Sequence, residues 1–413
     1  MHRKNGANER SAKKTSNESE KQLKRYGDIY DKIYDMDNLY EAHKNARKDK
    51  KFYKEVKMVD SDPEYYLGLI HDMLKNETYK VSEYSISIIN DKGKDRMLMK
   101  LPYFPDRIIQ WAIMLQIEQI FLKTFCFHTC ASIPRRGISQ AVKLTEKHLK
   151  DKENAKYCLK IDVSKFYPNI DHEILKRLLR KKFKDKRLLK LLDLIIDSYP
   201  DVKGVPIGSY LSQYLANFYL CYFDHWLKEV CREKKVTRYM DDSIIHSGSK
   251  EHLHDLLSRI RVYLEKELKL QLKGNYQIFP IKKQGIDFVG YRHFFGFRLI
   301  RKKTAVRLKR KMIKLRTKQM FNFSEWCSVN SYIGLCCQCN SFRLCRKYIH
   351  PLIPKVLMYY KRVIAKNYNA YRRYKKKLLS KGVVLGEKHW KSSGFGSYGK
   401  TCYCGFYQSV CAY

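Results

Sequence analysis

The tetrapeptide Tyr-Met-Asp-Asp at residues 239–242 places two adjacent carboxylates between two short segments that contain β-branched residues. Residues 236–238 and 243–246 on either side predict the two strands of a β-hairpin, with the acids at its tip. A solvated Asp-Asp turn is the simplest alternative, because a four-residue match arises easily by chance. A third acid, Asp162, follows the apolar segment 157–161, which predicts another strand that ends in a carboxylate.

Three carboxylates at strand ends are suited to holding two Mg²⁺ ions, which prefer oxygen ligands and substrate phosphates. Two such ions can stabilise both the attacking and the leaving oxygen of an in-line phosphoryl displacement. Asp162, Asp241 and Asp242 therefore predict the chemistry of a nucleotide polymerase.

Four motifs in order resemble those of a prokaryotic reverse transcriptase, and the resemblance covers about residues 85–380. They are Asp162 with Phe166 and Tyr167, the loop Gly-Val-Pro-Ile-Gly-Ser-Tyr-Leu-Ser-Gln at 204–213, the tetrapeptide at 239–242, and Gly-Ile-Asp-Phe-Val-Gly-Tyr at 285–291. The resemblance implies an α+β right-hand polymerase fold. Its parts are fingers, a palm whose small antiparallel sheet bears the acids, and a helical thumb.

The resemblance also assigns roles to individual residues. Asp162, Asp241 and Asp242 are expected to be catalytic and, together with Val163, to bind two Mg²⁺ ions that Mn²⁺ can replace. The expected nucleotide-binding residues are Phe166, Tyr167, Arg135, Arg136, Gly208 and Gln213, and the expected primer grip is Phe288, Val289, Gly290 and Tyr291. For the general acid, alignment places Tyr276 where relatives have a Lys, so Lys273 is the nearest substitute.

The loop 204–213 departs from the commonest pattern and indicates a subfamily. Most reverse transcriptases have Gln-Gly followed by Ser-Pro, whereas this chain has Ile207-Gly208 and Ser212-Gln213. This form is similar to that of diversity-generating retroelement enzymes, which copy a template repeat into cDNA with errors at adenines. A reverse transcriptase of anti-phage defence is the alternative. A third hypothesis, an RNA-binding protein with a decayed polymerase core, is disfavoured because Asp162, the tetrapeptide and Gly290 are intact.

The charge of the chain favours a nucleic-acid partner. Its 413 residues include 84 Lys plus Arg against 42 Asp plus Glu, a formal net charge of +42. Such a surface binds polyanions by releasing their counterions, and the 32 Tyr and 19 Phe offer faces on which bases can stack. The expected partners are an RNA template, a DNA or RNA primer, dNTPs and a small basic accessory protein.

The chain shows no apolar run long enough for a membrane span and no signal-peptide core, so we expect a cytoplasmic protein encoded by a bacterium or a phage. Thirteen cysteines without a signal peptide suggest reduced thiols. Cys336, Cys339 and Cys345 leave a zinc site open as an alternative, although their spacing meets that of a structural site only loosely.

Four regions are predicted along the chain. Residues 1–60 are a basic extension that is partly disordered and then helical, and 61–300 contain the fingers and palm. Residues 301–380 form a basic helical thumb, and 381–413 are a Gly-, Ser-, Tyr- and Cys-rich tail of unknown role. Within the palm, helical periodicity predicts helices over 172–198 and 210–230. In the stretch that the resemblance assigns to the fingers, a return strand is expected over 97–103.

Overall fold

The computed structural model describes residues 24–90, 95–365 and 367–380. The predictions for the first 23 residues and for the tail 381–413 lie outside these ranges. The chain divides into two compact units. Of the described residues, the first unit takes those from 24 to 132 together with 163–232 and 259–273, and the second takes 133–162, 233–258 and those from 274 to 380.

The elements up to residue 197 are, in chain order, α1 (Tyr30–Ile33), α2 (Met36–Ala46), α3 (Lys54–Ser61), α4 (Pro63–Lys75), β1 (Ser85–Asn90), β2 (Asp95–Lys100), a π-helical turn (Tyr103–Arg107), α5 (Ile108–Thr124), α6 (Gly137–Lys150), β3 (Tyr157–Ile161), a 3₁₀ turn (Tyr167–Asn169), α7 (His172–Lys182) and α8 (Lys186–Asp197). They are followed by α9 (Tyr210–Tyr219), α10 (Cys221–Glu229), β4 (Val236–Tyr239), β5 (Asp242–Ser247), α11 (Lys250–Leu268), β6 (Gln277–Pro280), α12 (Ile281–Gln284), β7 (Ile286–Phe288), β8 (Tyr291–Phe294), β9 (Phe297–Ile300), α13 (Lys302–Arg316), α14 (Phe323–Cys336), α15 (Phe342–Tyr348), a 3₁₀ turn (His350–Leu352), α16 (Ile353–Tyr359), a π-helical turn (Tyr360–Ile364) and α17 (Tyr368–Ser380).

Local capping explains where the first unit departs from the predicted helices. The helix expected over 172–198 is two helices, because Asp185 caps the second by accepting from the amide of Leu188 at 3.1 Å. The same carboxylate also accepts from the amides of Ile29 and Tyr30, at 2.8 and 2.9 Å. One aspartate therefore starts α8 and holds the segment that leads into α1.

Two further boundaries differ from the prediction for backbone reasons. The helix expected over 210–230 is interrupted at Leu220, whose ψ of −1° is outside the usual helical range. The strand expected over 97–103 ends at Lys100, shortly before Pro102, which has no N–H to donate to a ladder.

A four-stranded antiparallel sheet, with strand order β4-β5-β3-β6, is the centre of the second unit. Successive residues of β3 point to opposite faces, and both Cys158 and Leu159 are fully buried. The sheet is therefore covered on both sides, with α6 packed against β4. The predicted β4–β5 hairpin and the predicted strand before Asp162 are both present. The α+β fold class is confirmed.

A second sheet, β7-β8-β9, leads into the basic helices α13–α17. A buried cluster joins these helices, and its members include Leu308, Met312, Val329, Ile333 and Val356. Tyr291 of β8 belongs to the same cluster and donates to the carbonyl of Leu335 at 3.2 Å. Among the described residues, those from 302 to 380 are mainly helical, with short non-helical connections.

The cysteines of the zinc alternative lie within this helical cluster. The Cys339 thiol donates to the carbonyls of Leu335 and Cys336, and the Ser341 hydroxyl lies 3.6 Å from the sulfur of Cys345. In the ranges that the structure describes, no group of three His, Cys, Asp or Glu residues is arranged to hold a metal ion, so the zinc alternative gains no support. No helix in those ranges has the length and apolar character needed to cross a membrane.

The buried ring of His246 in β5 should make stability depend on pH. Its Nδ1 donates to the carbonyl of Lys235 at 3.1 Å, and burial lowers its pKa to about 4. The unfolded chain therefore binds the extra proton below about pH 6.5, so stability is full above that pH and is lost as the pH falls toward 4. The loss is about 2 kcal/mol by pH 5, at ~1.4 kcal/mol per unit of pKa shift.

We expect the His246→Asn variant, which keeps a donor but does not titrate, to be less stable than the wild type at pH 7.5. Its deficit in melting temperature should shrink at pH 5. Thermal unfolding of both proteins at the two pH values tests this, with His254→Asn, a change at an exposed histidine, as the control. A deficit that is the same at both pH values would contradict the assignment.

Candidate active site

The tip of the β4–β5 hairpin presents Asp241 and Asp242. Tyr239 pairs with Asp242 across the strands, which leaves Met240 and Asp241 as a two-residue turn. Met240 has a φ of 56°, a left-handed conformation that is uncommon for a residue with a side chain. Its carbonyl accepts from Nη1 of Arg238 at 2.9 Å, and the Arg238 side chain is almost completely buried. A buried guanidinium therefore holds the strained turn in place.

The pairing of β3 with β5 places Asp162 beside this tip. Ile161 pairs with Ser243 and Lys160 with Ile244, so the next position of the same register sets Asp162 opposite Asp242. Residues directly opposite in an antiparallel pair share one face of the sheet and have their Cα atoms about 4.5–5.5 Å apart. Both carboxylates therefore lie at the same end and on the same face of the sheet.

The electrostatic environment of Asp242 is unusual for a carboxylate. Its pKa is raised to about 6, mainly by burial. The Lys160 ammonium lowers that pKa and the Asp162 carboxylate raises it, and Arg301 and Asp287 add smaller opposing effects. The Lys160 nitrogen lies 3.7 Å from Oδ2 of Asp242. Asp242 thus carries a charge that its surroundings only partly balance.

These acids have the chemistry of a Mg²⁺ site. Oδ1 of Asp242 is buried and has no hydrogen-bond partner among the described residues, so this oxygen can coordinate a cation. Carboxylate oxygen is the donor type that Mg²⁺ prefers. Across the described residues no three candidate ligands converge, and the facing pair Asp162 and Asp242 is therefore the part of the expected site that is already assembled.

Arg135 and Arg136 lie in the second unit, directly before α6. Arg135 is exposed and has a φ of 64°, and Gly137 follows with a φ of 72°. The Arg136 amide donates to the carbonyl of Ile133 at 3.1 Å, which closes the turn. Two arginines thus stand at the N-terminus of a 14-residue helix, where backbone N–H groups also favour anions.

The hairpin at residues 285–291 is formed as predicted. Phe288 pairs with Tyr291, and Val289 and Gly290 make the turn with φ values of 41° and 92°. Phe288 and Tyr291 are buried, so they anchor the hairpin in the second unit, while Val289 and Gly290 are half-exposed at its tip.

The remaining predicted residues belong to the first unit. Val163 forms an isolated bridge with Leu272, and Lys273 follows that bridge in the chain. Phe166 is buried, and the half-exposed ring of Tyr167 contacts it edge-on at 5.8 Å between centroids. The carbonyl of Tyr167 accepts from the amide of Val205 at 3.2 Å. This bond joins the first motif to the loop 204–213.

Within that loop, Gly208 has a φ of 106° and is exposed, with open space where a Cβ would stand. The backbone conformation, and not crowding, is therefore what favours glycine there. Ser209 caps α9 by accepting from Ser212, and its hydroxyl donates to Oε1 of Gln110 at 2.6 Å. Gln213 lies in the first turn of α9 and is half-exposed, as is Ile207 before the helix.

The sequence interpretation missed three residues around Asp242. Lys160 could have been found, because it precedes Asp162 by two positions in a strand and so shares its face. Asp287 lies within the 285–291 motif but was given no role of its own, and Arg301 carries no local signal. Both affect the pKa of Asp242 only through the tertiary fold.

The sequence profile of the reverse transcriptase (RNA-dependent DNA polymerase) family matches residues 88–293. Protein YkfC of Escherichia coli K12 is 25% identical in an alignment of 281 residues, and this match covers 58% of this chain and 72% of that protein. The group II intron-encoded protein LtrA of Lactococcus lactis is 22% identical over 303 residues. This match covers 56% of this chain and half of LtrA.

Among solved structures, a telomerase from Candida albicans in complex with a fragment of telomeric RNA aligns with a TM-score of 0.47 and 10% identity. That alignment covers 74% of this chain and 60% of the telomerase chain. The family match spans the segment that holds Asp162, Asp241, Asp242 and the 285–291 hairpin. The chain therefore carries a reverse transcriptase domain, with the fold of that family and the enzyme class of an RNA-directed DNA polymerase.

Proposed function

We propose that this chain synthesises DNA on an RNA template by metal-dependent phosphoryl transfer. The observation that carries the proposal is the register of β3 and β5, which sets Asp162 opposite Asp242 at one end of the sheet. The negative charge of Asp242 is only partly balanced by its surroundings, and this favours the binding of a cation by the two acids. Asp241 in the turn is the third proposed ligand, and the backbone of Val163 is the fourth.

Bound Mg²⁺ would neutralise the phosphates and assist the primer 3′-hydroxyl as nucleophile. Two ions are proposed, and Mn²⁺ should replace them. The residues themselves contribute position and charge. Asp162 and Asp242 present oxygens from adjacent strands, and Arg238 fixes the backbone of the turn that carries Asp241.

Template and primer binding follow from the positive surface. The chain carries 42 more cationic than anionic side chains, and α13 exposes Lys302, Lys303, Arg307, Lys309 and Arg310. Counterion release from a nucleic acid makes such a helix a favourable backbone contact. In the proposed primer grip, the half-exposed Val289 and Gly290 contact the primer end, and the buried Phe288 and Tyr291 hold the hairpin in position.

Nucleotide selection is proposed for Arg135, Arg136, Phe166, Tyr167, Gly208 and Gln213. The half-exposed ring of Tyr167 is the proposed contact to the sugar of an incoming nucleotide, and Phe166 packs edge-on against this ring. The two arginines beside a helix N-terminus suit a triphosphate. Lys273 is the proposed source of the proton for the leaving pyrophosphate.

The biological setting is proposed to be a retroelement. An intron-encoded relative supports this in general, and the Ile207-Gly208 and Ser212-Gln213 form of the loop favours an error-prone diversity-generating element with a small basic accessory protein. Such an enzyme, encoded by a bacterium or by a phage, would act in the bacterial cytoplasm. Anti-phage defence is the second candidate, and a nearby near-repeat that differs at adenines would distinguish the retroelement.

Asp241→Asn should abolish dNTP incorporation while RNA binding stays nearly intact, because it removes a metal ligand but little of the positive surface. Primer extension on poly(rA)/oligo(dT) with Mg²⁺ and an RNA filter-binding assay measure the two properties. Asp72→Asn, a change at an exposed acid on α4, is the matched control. Robust extension by Asp241→Asn would rule out the metal-site assignment.

Tyr167→Ala should raise the incorporation of ribonucleotides relative to deoxynucleotides by at least ~10-fold, equivalent to ~1.4 kcal/mol from the relief of one steric clash. The ratio of kcat/KM for rNTP and dNTP measures it, with Tyr40→Ala, which truncates an exposed tyrosine of the same unit, as control. An unchanged ratio would mean that Tyr167 is only a packing residue.

Ile207→Gln tests the error-prone hypothesis. Isoleucine in place of the usual glutamine removes polar contacts near the templating base, and such contacts contribute about 0.5–1.5 kcal/mol each. We therefore expect the wild type to misincorporate opposite adenine more often than opposite other bases, and Ile207→Gln to narrow that difference. Sequencing of cDNA made on a defined RNA measures it, with Ile313→Gln at an exposed thumb position as control. Uniformly low error at all four bases would favour the defence candidate instead.

A further inference from the structure

Lys160 stands next to the candidate active site without a role in the predictions above. It is the fourth residue of β3 and precedes Asp162 by two positions, so the two side chains leave the same face of the sheet. Its partner across the ladder is Ile244 of β5, which shares a face with Asp242. A lysine on an otherwise largely buried strand requires polar partners to be stable there.

The Lys160 ammonium has two such partners, both in the second unit. It donates to the main-chain carbonyl of Asp287 at 2.6 Å, and it lies 3.7 Å from Oδ2 of Asp242. The Lys160 side chain is 24% exposed, so water competes with these contacts less than it would at the surface. One ammonium therefore contacts a candidate metal ligand and the backbone of another element at the same time.

That other element is the 285–291 hairpin. Asp287 is the middle residue of β7 and pairs with Arg292 of β8. Its carboxylate pairs with Nε of Arg301 at 2.5 Å, while its carbonyl accepts from Lys160. The strand β7 is thus contacted by two cationic side chains, Lys160 and Arg301. Of these two, Lys160 also forms an ion pair with the carboxylate of Asp242.

We propose that Lys160 is a positioning residue, which couples the Asp242 carboxylate to the 285–291 hairpin through the carbonyl of Asp287. This inference rests on the proposed function, in which the hairpin contacts the primer end and Asp242 binds metal. The hairpin and the acid must then keep a fixed separation, because a misplacement of about 1 Å between reacting groups can lower a rate by about 100-fold. An ammonium with several donors can serve both partners together.

The simpler alternative is that Lys160 only neutralises Asp242. The two hypotheses predict different effects when the Lys160 ammonium, with its charge and its hydrogen-bond donors, is removed. Loss of a nearby positive charge should strengthen Mg²⁺ binding in either case, by about 3-fold for a partly screened pair. Only the coupling predicts that the hairpin also loosens and that turnover falls at saturating Mg²⁺.

The test uses Lys160→Met in the full chain, with Lys160→Arg as the conservative variant. Lys282→Met, which removes an exposed lysine from α12 in the same unit, is the control. For each protein we would measure kcat and the KM for dNTP on poly(rA)/oligo(dT), and the Mg²⁺ concentration at half-maximal activity. Amide hydrogen exchange of residues 285–291 and the Mg²⁺ dependence of the melting temperature give two readouts that do not need activity.

For Lys160→Met we expect kcat to fall by about 10- to 100-fold, with the KM for dNTP nearly unchanged. The Mg²⁺ midpoint should fall, and exchange at 285–291 should accelerate, whereas Lys160→Arg should restore kcat and slow exchange. Unchanged exchange and kcat with a lower Mg²⁺ midpoint would overturn the coupling and leave simple neutralisation. Equal losses in Lys160→Met and Lys160→Arg would also overturn it. If the wild type is inactive while Lys160→Met still loosens the hairpin, the proposed function fails and the coupling stands.

Discussion

The antiparallel register of β3 and β5 is the constraint on which the candidate site depends. A shift by one residue would turn every side chain of β3 to the opposite face, and Asp162 would no longer face Asp242. Burial is the main cause that raises the pKa of Asp242 to about 6, and the like charge of Asp162, which the register sets opposite, raises it further. Lys160 and Arg301 offset this only in part. In the proposed metal site, a divalent cation would balance the remaining negative charge of these carboxylates.

Backbone features keep the acids in place at some local strain. Met240 adopts a left-handed conformation, and the buried guanidinium of Arg238 donates a hydrogen bond to its carbonyl. A buried arginine needs such a partner, because an unpaired charge in the interior is strongly unfavourable. Strained residues of this kind are tolerated where the surrounding structure fixes them, and they are found disproportionately at functional sites. The turn that carries Asp241 is therefore shaped by an interaction two residues away.

Sequence patterns predicted the features that depend on neighbours in the chain. The β4–β5 hairpin, the strand before Asp162 and the 285–291 hairpin follow from alternation and turn residues, and they were predicted with their acids and glycines in place. The helix break at Asp185 was missed although its cap on Leu188 is a local signal, whereas the contacts of the same carboxylate with Ile29 and Tyr30 lie 156 and 155 residues away and have none. Lys160 and Asp287 are 127 residues apart in the sequence, and a local sequence pattern cannot predict a contact over such a separation. The resemblance supplied roles for residues, but it could not supply these tertiary partners.

Crystals grown with Mn²⁺, a primer–template and a non-reactive dNTP analogue would test the metal site directly, because Mn²⁺ scatters anomalously. We expect an anomalous peak within about 2.2 Å of carboxylate oxygens from both Asp162 and Asp242, as for a directly bound hard cation. Mn²⁺ bound elsewhere, with these two carboxylates contacted only by Lys160 and water, would contradict the assignment of the acids as the catalytic metal ligands.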